Sequence, residues 1–126
     1  MAPACPAALG RMFTDPHQPP HFNGAFADYY HVSPRMALFK VPDTVTDTMV
    51  AGANCALAQV IYGLERIGVR FGDTVVIQGA GGLGAYATAV AKERGAHQVI
   101  VIDGLDDRLA LARAMGADAT VDQGVA

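Results

Sequence analysis

Three features of the sequence predict an α/β fold with parallel strands. All seven prolines of the 126-residue chain fall at or before Pro42, so residues 43–126 lack the residue that most often interrupts regular structure. From Thr44 onward, stretches with apolar residues three or four apart alternate with short β-branched runs. Those runs are apolar at successive positions, as strands covered on both faces must be.

Residues 1–43 read as loop-rich, densest in proline at "DPHQPPH". Two extended pieces stand out there: "GAFADYYHV", Gly24 to Val32, expected as a strand, and "ALFKVPD", which ends in a Pro-Asp turn. Residues 44–72 contain one helix. Ala53, Ala56, Leu57, Val60, Ile61 and Leu64 form its apolar stripe, and Gly68 stops it. Residues 73–126 then read β-α-β-α-β. The expected order is a strand Thr74–Gln78, a helix Gly82–Arg94 and a strand Gln98–Asp103. A second helix starts at about Asp106, with Leu105, Leu109, Ala112 and Met115 on one side and Gly116 closing it. Ala119–Asp122 is the third strand. Right-handed crossovers put both helices on one sheet face. The opposite face is expected to be covered only by the Ala53–Ile67 helix and the N-terminal region, and the first strand to be an open apolar edge that favours dimers or aggregates.

Composition narrows the function. The chain is about one domain long and can bury roughly 65% of its unfolded surface. With 52% hydrophobic residues, 17% charged residues and a net charge of −3, it offers no basic face for nucleic acid. The longest uncharged apolar run, Met49 to Ile61, is too short for a bilayer and is broken by Gly52, Asn54 and Gln59. The start "MAPACPAALGR" does not read as a secretion signal. Two cysteines, Cys5 and Cys55, form no disulfide framework, so free thiols in a reducing cytoplasm are expected.

Gly79-Ala80-Gly81-Gly82-Leu83-Gly84 fits G-x-G-x-x-G in the context that gives the pattern meaning, after a strand and opening a helix. Asp103 ends the next strand 19 residues beyond Gly84, close to the offset of about 20 for a ribose-binding acid. Gly79 permits the tight exit from the strand, Gly81 leaves room for a pyrophosphate, and Gly84 lets helix and strand approach. The amides of Gly82 and Leu83 sit where unpaired N–H groups and the helix dipole attract an anion. A 2′-phosphate near Asp103 would be repelled by roughly 4 kcal/mol at 4 Å and an effective dielectric of 20, which favours NAD over NADP. Arg108 argues the other way. A ligand-free turn and another adenosine ligand, such as S-adenosylmethionine, are the rival readings.

"GAFADYY", "LFKVPD", "NCALAQVIYGLERIGVRFGDTVVIQGAGGLG" and "VIVIDGLDDRLALARAMGADATVD" together resemble the zinc-type medium-chain alcohol dehydrogenases, from about His21 to Asp122. The resemblance implies a partial Rossmann fold in 73–126, a remnant of the GroES-like catalytic domain in 1–43, and an interdomain helix and connection in 44–72. It matches Cys55 to a ligand of the family's catalytic zinc. Cys55 lies off the apolar stripe, with Gln59 and Tyr62 at i+4 and i+7; a small buried cysteine is the alternative.

The chain departs from the family pattern in several places. It contains no Gly-His-Glu, and Gln59 stands where the family often has threonine near the nicotinamide. Cys5 resembles the last cysteine of a structural zinc lobe whose other cysteines are missing, and is expected to be inert. His17 and His21 lie in a proline-rich loop unsuited to helical ligand spacing. His31 and His97 carry no assigned role. Tyr29 and Tyr30 read as strand packing, and Tyr62 as a residue bordering the cleft.

The resemblance implies part of an oxidoreductase that moves a hydride between a small-molecule alcohol or carbonyl and NAD, with zinc as Lewis acid. This chain is expected to read as an internal fragment that contributes mainly NAD binding, is inactive alone, and belongs to a cytoplasmic homo-oligomer. The alternatives are a zinc-free quinone-reductase-like enzyme using NADPH, and a non-catalytic nucleotide-binding remnant.

Overall fold

The computed structural model describes residues 15, 17–19, 27–32 and 37–124. The chain forms two compact units, Met1–Lys40 and Val41–Ala126.

In the first unit, Asp15 organises a turn. Its carboxylate accepts the His17 amide at 2.9 Å and its carbonyl accepts the Gln18 amide at 3.0 Å. The strand expected over Gly24–Val32 does not form in its described part, because residues 27–32 run as bend and coil with Tyr29 and Tyr30 exposed. Aromatic and β-branched residues favour a strand only where a neighbouring strand takes up the backbone hydrogen bonds, and none pairs with them among the described residues. Residues 24–26, Cys5 and His21 lie outside the described residues.

The second unit opens with the expected Pro-Asp turn, closed by Val45 N–H donating to the Pro42 carbonyl at 2.9 Å. Thr46 caps a short helix, α1 (Asp47–Val50), accepting the Met49 amide. A π-helical turn at Ala53–Leu57 runs into α2 (Ala58–Ile67). Gly68 ends α2 with φ +75°, and its amide returns to the carbonyls of Leu64 and Glu65. Val60 and Leu64 are buried along the stripe, whereas Ile61 remains 40% exposed.

A three-stranded parallel sheet comes next, in the order β1 (Thr74–Gln78), β2 (Gln98–Asp103), β3 (Ala119–Asp122), linked by α3 (Gly82–Glu93) and α4 (Asp106–Ala114). In register, Val76 faces Ile100, which faces Ala119. Both helices pack on β2 and on each other, so they share one face of the sheet. That face supplies the core: Val99 and Val101 are fully buried beneath Ala91 and Ala112, each valine contributing about 1.5–3 kcal/mol by burial. Small residues on α3 allow the close approach. Thr88 is accommodated there because its hydroxyl donates to the Gly84 carbonyl at 2.8 Å.

The cover expected over the other face differs. The Ala53–Ile67 helix packs along α3, and its Val60 and Leu64 join the core on the helix-covered side of the sheet. Its buried row, Val60 and Leu64, is narrow and matches a helix–helix contact. The sheet's second face is therefore open within this unit, with Val76 of the edge strand β1 59% exposed.

Candidate functional site

The site is built where β1 turns into α3. Gly79 leaves the strand at φ +94°, a value that glycine adopts without strain, and its amide donates to the Ile102 carbonyl at 2.7 Å. This bond carries the β1–β2 ladder one residue past the strand. Ala80 is then buried at 1% exposure. Gly81 sits at the N-cap in extended backbone, φ −67° and ψ −171°, and no side chain caps the helix. The first helical bond is Ala85 N–H to the Gly81 carbonyl, at 2.9 Å. The amides of Gly82, Leu83 and Gly84 therefore stand in the first turn, where helix geometry gives N–H groups no internal acceptor.

The four glycines have different physical reasons. Gly84 is a packing requirement: a Cβ there would lie 1.8 Å from the Gly79 carbonyl oxygen. Gly81 and Gly82 are the opposite case. A Cβ on either would meet nothing within 4 Å, and neither has a positive φ. The protein's own packing does not ask for glycine at those two positions.

Beside the loop stands Asp103, 6% exposed at the end of β2. Its Oδ2 accepts the Ala80 amide at 2.7 Å, and its Oδ1 accepts those of Gly104 at 2.8 Å and Leu105 at 3.0 Å. The Ala80 amide, foremost, holds the carboxyl below the usual aspartate range. The Leu105 and Gly104 amides and the Arg108 charge act in the same direction, against an opposing effect of burial. Arg108 lies 3.8 Å from Oδ2 with its side chain 53% exposed. A carboxylate offers about four lone-pair directions, and three are taken by backbone.

On the side facing α2, the loop opens into a cleft of about 660 Å³, within the usual range for cofactor pockets. Gln59 and Val60 form one wall, Ile77 and Gln78 the base, and the loop glycines with Leu83 the other wall. Tyr62, expected at this border, does not line the cleft. Cys55 lies in the π-helical turn and is exposed, which excludes the buried-cysteine alternative. Its Sγ accepts the Gln59 side-chain amide at 3.7 Å. Among the described residues, no three His, Cys, Asp or Glu side chains stand close enough to hold a metal ion. A single thiolate does not fit a catalytic zinc, which takes three protein ligands, so no step is assigned to zinc here.

The structure brings together Gly79, Gly81, Gly82, Leu83, Gly84, Asp103 and Arg108, and leaves Cys55 outside the cleft's lining, bonded to its residue Gln59. Sequence reasoning missed the clamp of Asp103 on Ala80. His97 instead anchors the base of the sheet, its amide donating to the Asp73 carbonyl at 2.8 Å.

Residues 82–126 match a family model described as zinc-binding dehydrogenase. A 5-exo-hydroxycamphor dehydrogenase of Pseudomonas putida is 40% identical over 99 residues, covering 78% of this chain and 27% of that protein. An alcohol dehydrogenase of Thermotoga maritima superposes with a TM-score of 0.65 at 38% identity, over 68% of this chain and 24% of the other. An acetophenone reductase of Geotrichum candidum in complex with NAD gives 0.64 at 32%, over 68% and 25%. The mycobacterial Rv1454c complexed with NADPH gives 0.60 at 35%, over 66% and 26%. The chain spans about a quarter of the length of each of these proteins.

Proposed function

We propose that this chain, whose matches indicate a zinc-type medium-chain dehydrogenase, carries the dinucleotide-binding side of an oxidoreductase acting on a small alcohol or carbonyl, with NAD as the cofactor. The observation that carries this reading is the pair Gly81 and Gly82, glycines whose missing side chains face open space beside the bare amides of a helix start. In this reading the Gly82 and Leu83 amides hold the diphosphate, and Gly79 and Gly84 fix the loop. Asp103 receives the adenosine ribose with its remaining lone pair. When bound, the nicotinamide supplies the hydride chemistry; the chain's own residues bind, orient and charge-match it.

NAD is favoured over NADP because Asp103 is held ionised where a 2′-phosphate would approach. Arg108, more than half exposed, is the group that could turn toward such a phosphate. The solvent-facing thiol of Cys55 is consistent with one ligand of a zinc completed by other residues of the enzyme, and with a reducing, cytoplasmic setting. No helix among the described residues is long and apolar enough to cross a membrane.

Fluorescence titration of the folded chain with NADH and with NADPH tests the reading. Saturable NADH binding, tighter than NADPH, is expected. Folded protein that binds neither nucleotide contradicts it.

A further inference from the structure

Outside the glycine loop, Gly52 is a glycine that packing demands although its backbone does not. Its φ of −88° and ψ of −6° are open to any residue. A Cβ there, however, would lie 2.5 Å from the Tyr86 hydroxyl oxygen and 3.3 Å from two carbons of the ring. Tyr86 stands on α3, half-buried against the core and four residues after Gly82. The hydroxyl edge of its ring occupies the space that a side chain at residue 52 would need.

This contact falls on a segment that needs outside support. Gly52 is the N-cap of the π-helical turn Ala53–Leu57, and no side chain caps that turn. The Gly52 carbonyl accepts the Leu57 amide at 3.2 Å, the wide bond that opens the turn. Single π turns are rare and are frequent at functional sites. So short a turn gains little from helix cooperativity, and a packed neighbour must hold it. That neighbour is α3. The turn half-buries Ala53, Ala56 and Leu57 and presents Asn54 and Cys55 outward. Directly after it, the Gln59 amide donates to the Cys55 sulfur at 3.7 Å, and Gln59 and Val60 form one cleft wall. Tyr86 therefore rests on the residue from which both Cys55 and that wall are hung.

We propose that Tyr86 is a positioning residue for the Cys55 thiol. By standing where a side chain at residue 52 would be, its ring fixes the π-helical turn and so the direction of the thiol. The same brace sets the spacing between the α2 wall of the cleft and the glycine loop. The inference goes beyond the dinucleotide reading and does not need it. Where that reading holds, α3 carries the diphosphate amides in its first turn and the brace about one turn further on.

Iodoacetamide alkylation of the folded chain, read by peptide mass spectrometry, follows Cys55 and Cys5 separately and requires no nucleotide. Gly52→Ala should speed alkylation of Cys55 roughly threefold or more, because the added methyl displaces the turn and frees the thiol from Gln59. Adding Tyr86→Phe removes the hydroxyl and leaves only the ring carbons 3.3 Å away, a contact that a small shift relieves. The double variant should therefore return Cys55 to its wild-type rate, a rescue that general destabilisation would not produce. Cys5 should react alike in all three proteins. A Cys55 rate unchanged in Gly52→Ala overturns the proposal, and so does a double variant as fast as Gly52→Ala or a parallel rise at Cys5. Should Gly52→Ala fail to fold, the double variant decides. Folded protein with the wild-type Cys55 rate supports the brace, and an equally unfolded chain overturns it.

Discussion

The Asp103 carboxylate accepts the Ala80 amide at 2.7 Å across 23 residues of chain, joining the end of the second strand to the middle of the glycine loop. The aspartate is thus a strut for the glycine loop and, in the proposed reading, also the charge beside the ribose. Replacement should separate these roles. Asp103→Asn removes the charge and keeps an acceptor for only one of the two sets of backbone amides, and the NADH-to-NADPH affinity ratio should fall at least tenfold. Asp103→Ala leaves three backbone amides without their acceptor and should also lower the melting temperature. Titration of both variants with both nucleotides checks this; a ratio unchanged in Asp103→Asn would contradict the assignment.

A pH effect arises from two aspartates at opposite ends of the sheet. Asp103 is held low first by the Ala80 amide, and Asp118 first by the Val99 amide and then by Lys92, whose Nζ lies 3.0 Å from its carboxylate. A carboxyl with a depressed folded pKa stabilises fully above its ordinary value of 3.8, and loses that contribution as pH falls through the folded pKa. The urea midpoint should therefore decline below about pH 4. Asp118→Asn should decline less steeply over the same range. Equal steepness in both proteins would argue against a role for the Asp118 bonds to Val99 and Lys92.

The glycines should respond in opposite ways. Gly84→Ala drives a Cβ into the Gly79 carbonyl and should cost about 1–3 kcal/mol or more in chemical unfolding. Gly81→Leu meets no protein atom at its Cβ, so stability should change by no more than about 0.5 kcal/mol. NADH affinity should nevertheless drop more than tenfold, because the side chain enters the ligand's space. A Gly81→Leu variant that binds NADH like wild type would leave the open space beside the helix without a ligand.

The open sheet face carries a different prediction. Val76 is 59% exposed on the edge strand β1, with Ile100 beside it in register. The chain should self-associate as its concentration rises, and Val76→Lys should reduce this, as charge on an edge strand does. Light scattering across a dilution series reads the effect.

From Thr74 to Asp122 the elements were legible because glycine and periodicity agree at each boundary: Gly68, Gly79 and Gly116 all adopt positive φ where the pattern stops. The loop's place in the fold was legible for the same reason, since strand, glycines, helix and acid occur in a fixed order. Two expectations failed where local sequence underdetermines contact. The strand expected at Gly24–Val32 finds no neighbour for its described residues 27–32, which the sequence cannot display, and the stripe of the Ala53–Ile67 helix named a buried face without naming its partner, which is α3. The Asp103–Ala80 bond was hidden for the same reason, because a backbone amide carries no residue signature.

The most direct test is an amide spectrum of the 15N-labelled chain titrated with NAD. The Gly82 and Leu83 N–H signals should shift most, and saturate together with those of Ala80 and the Gln59 side chain. Saturable binding that leaves the Gly82 and Leu83 signals in place would contradict the account.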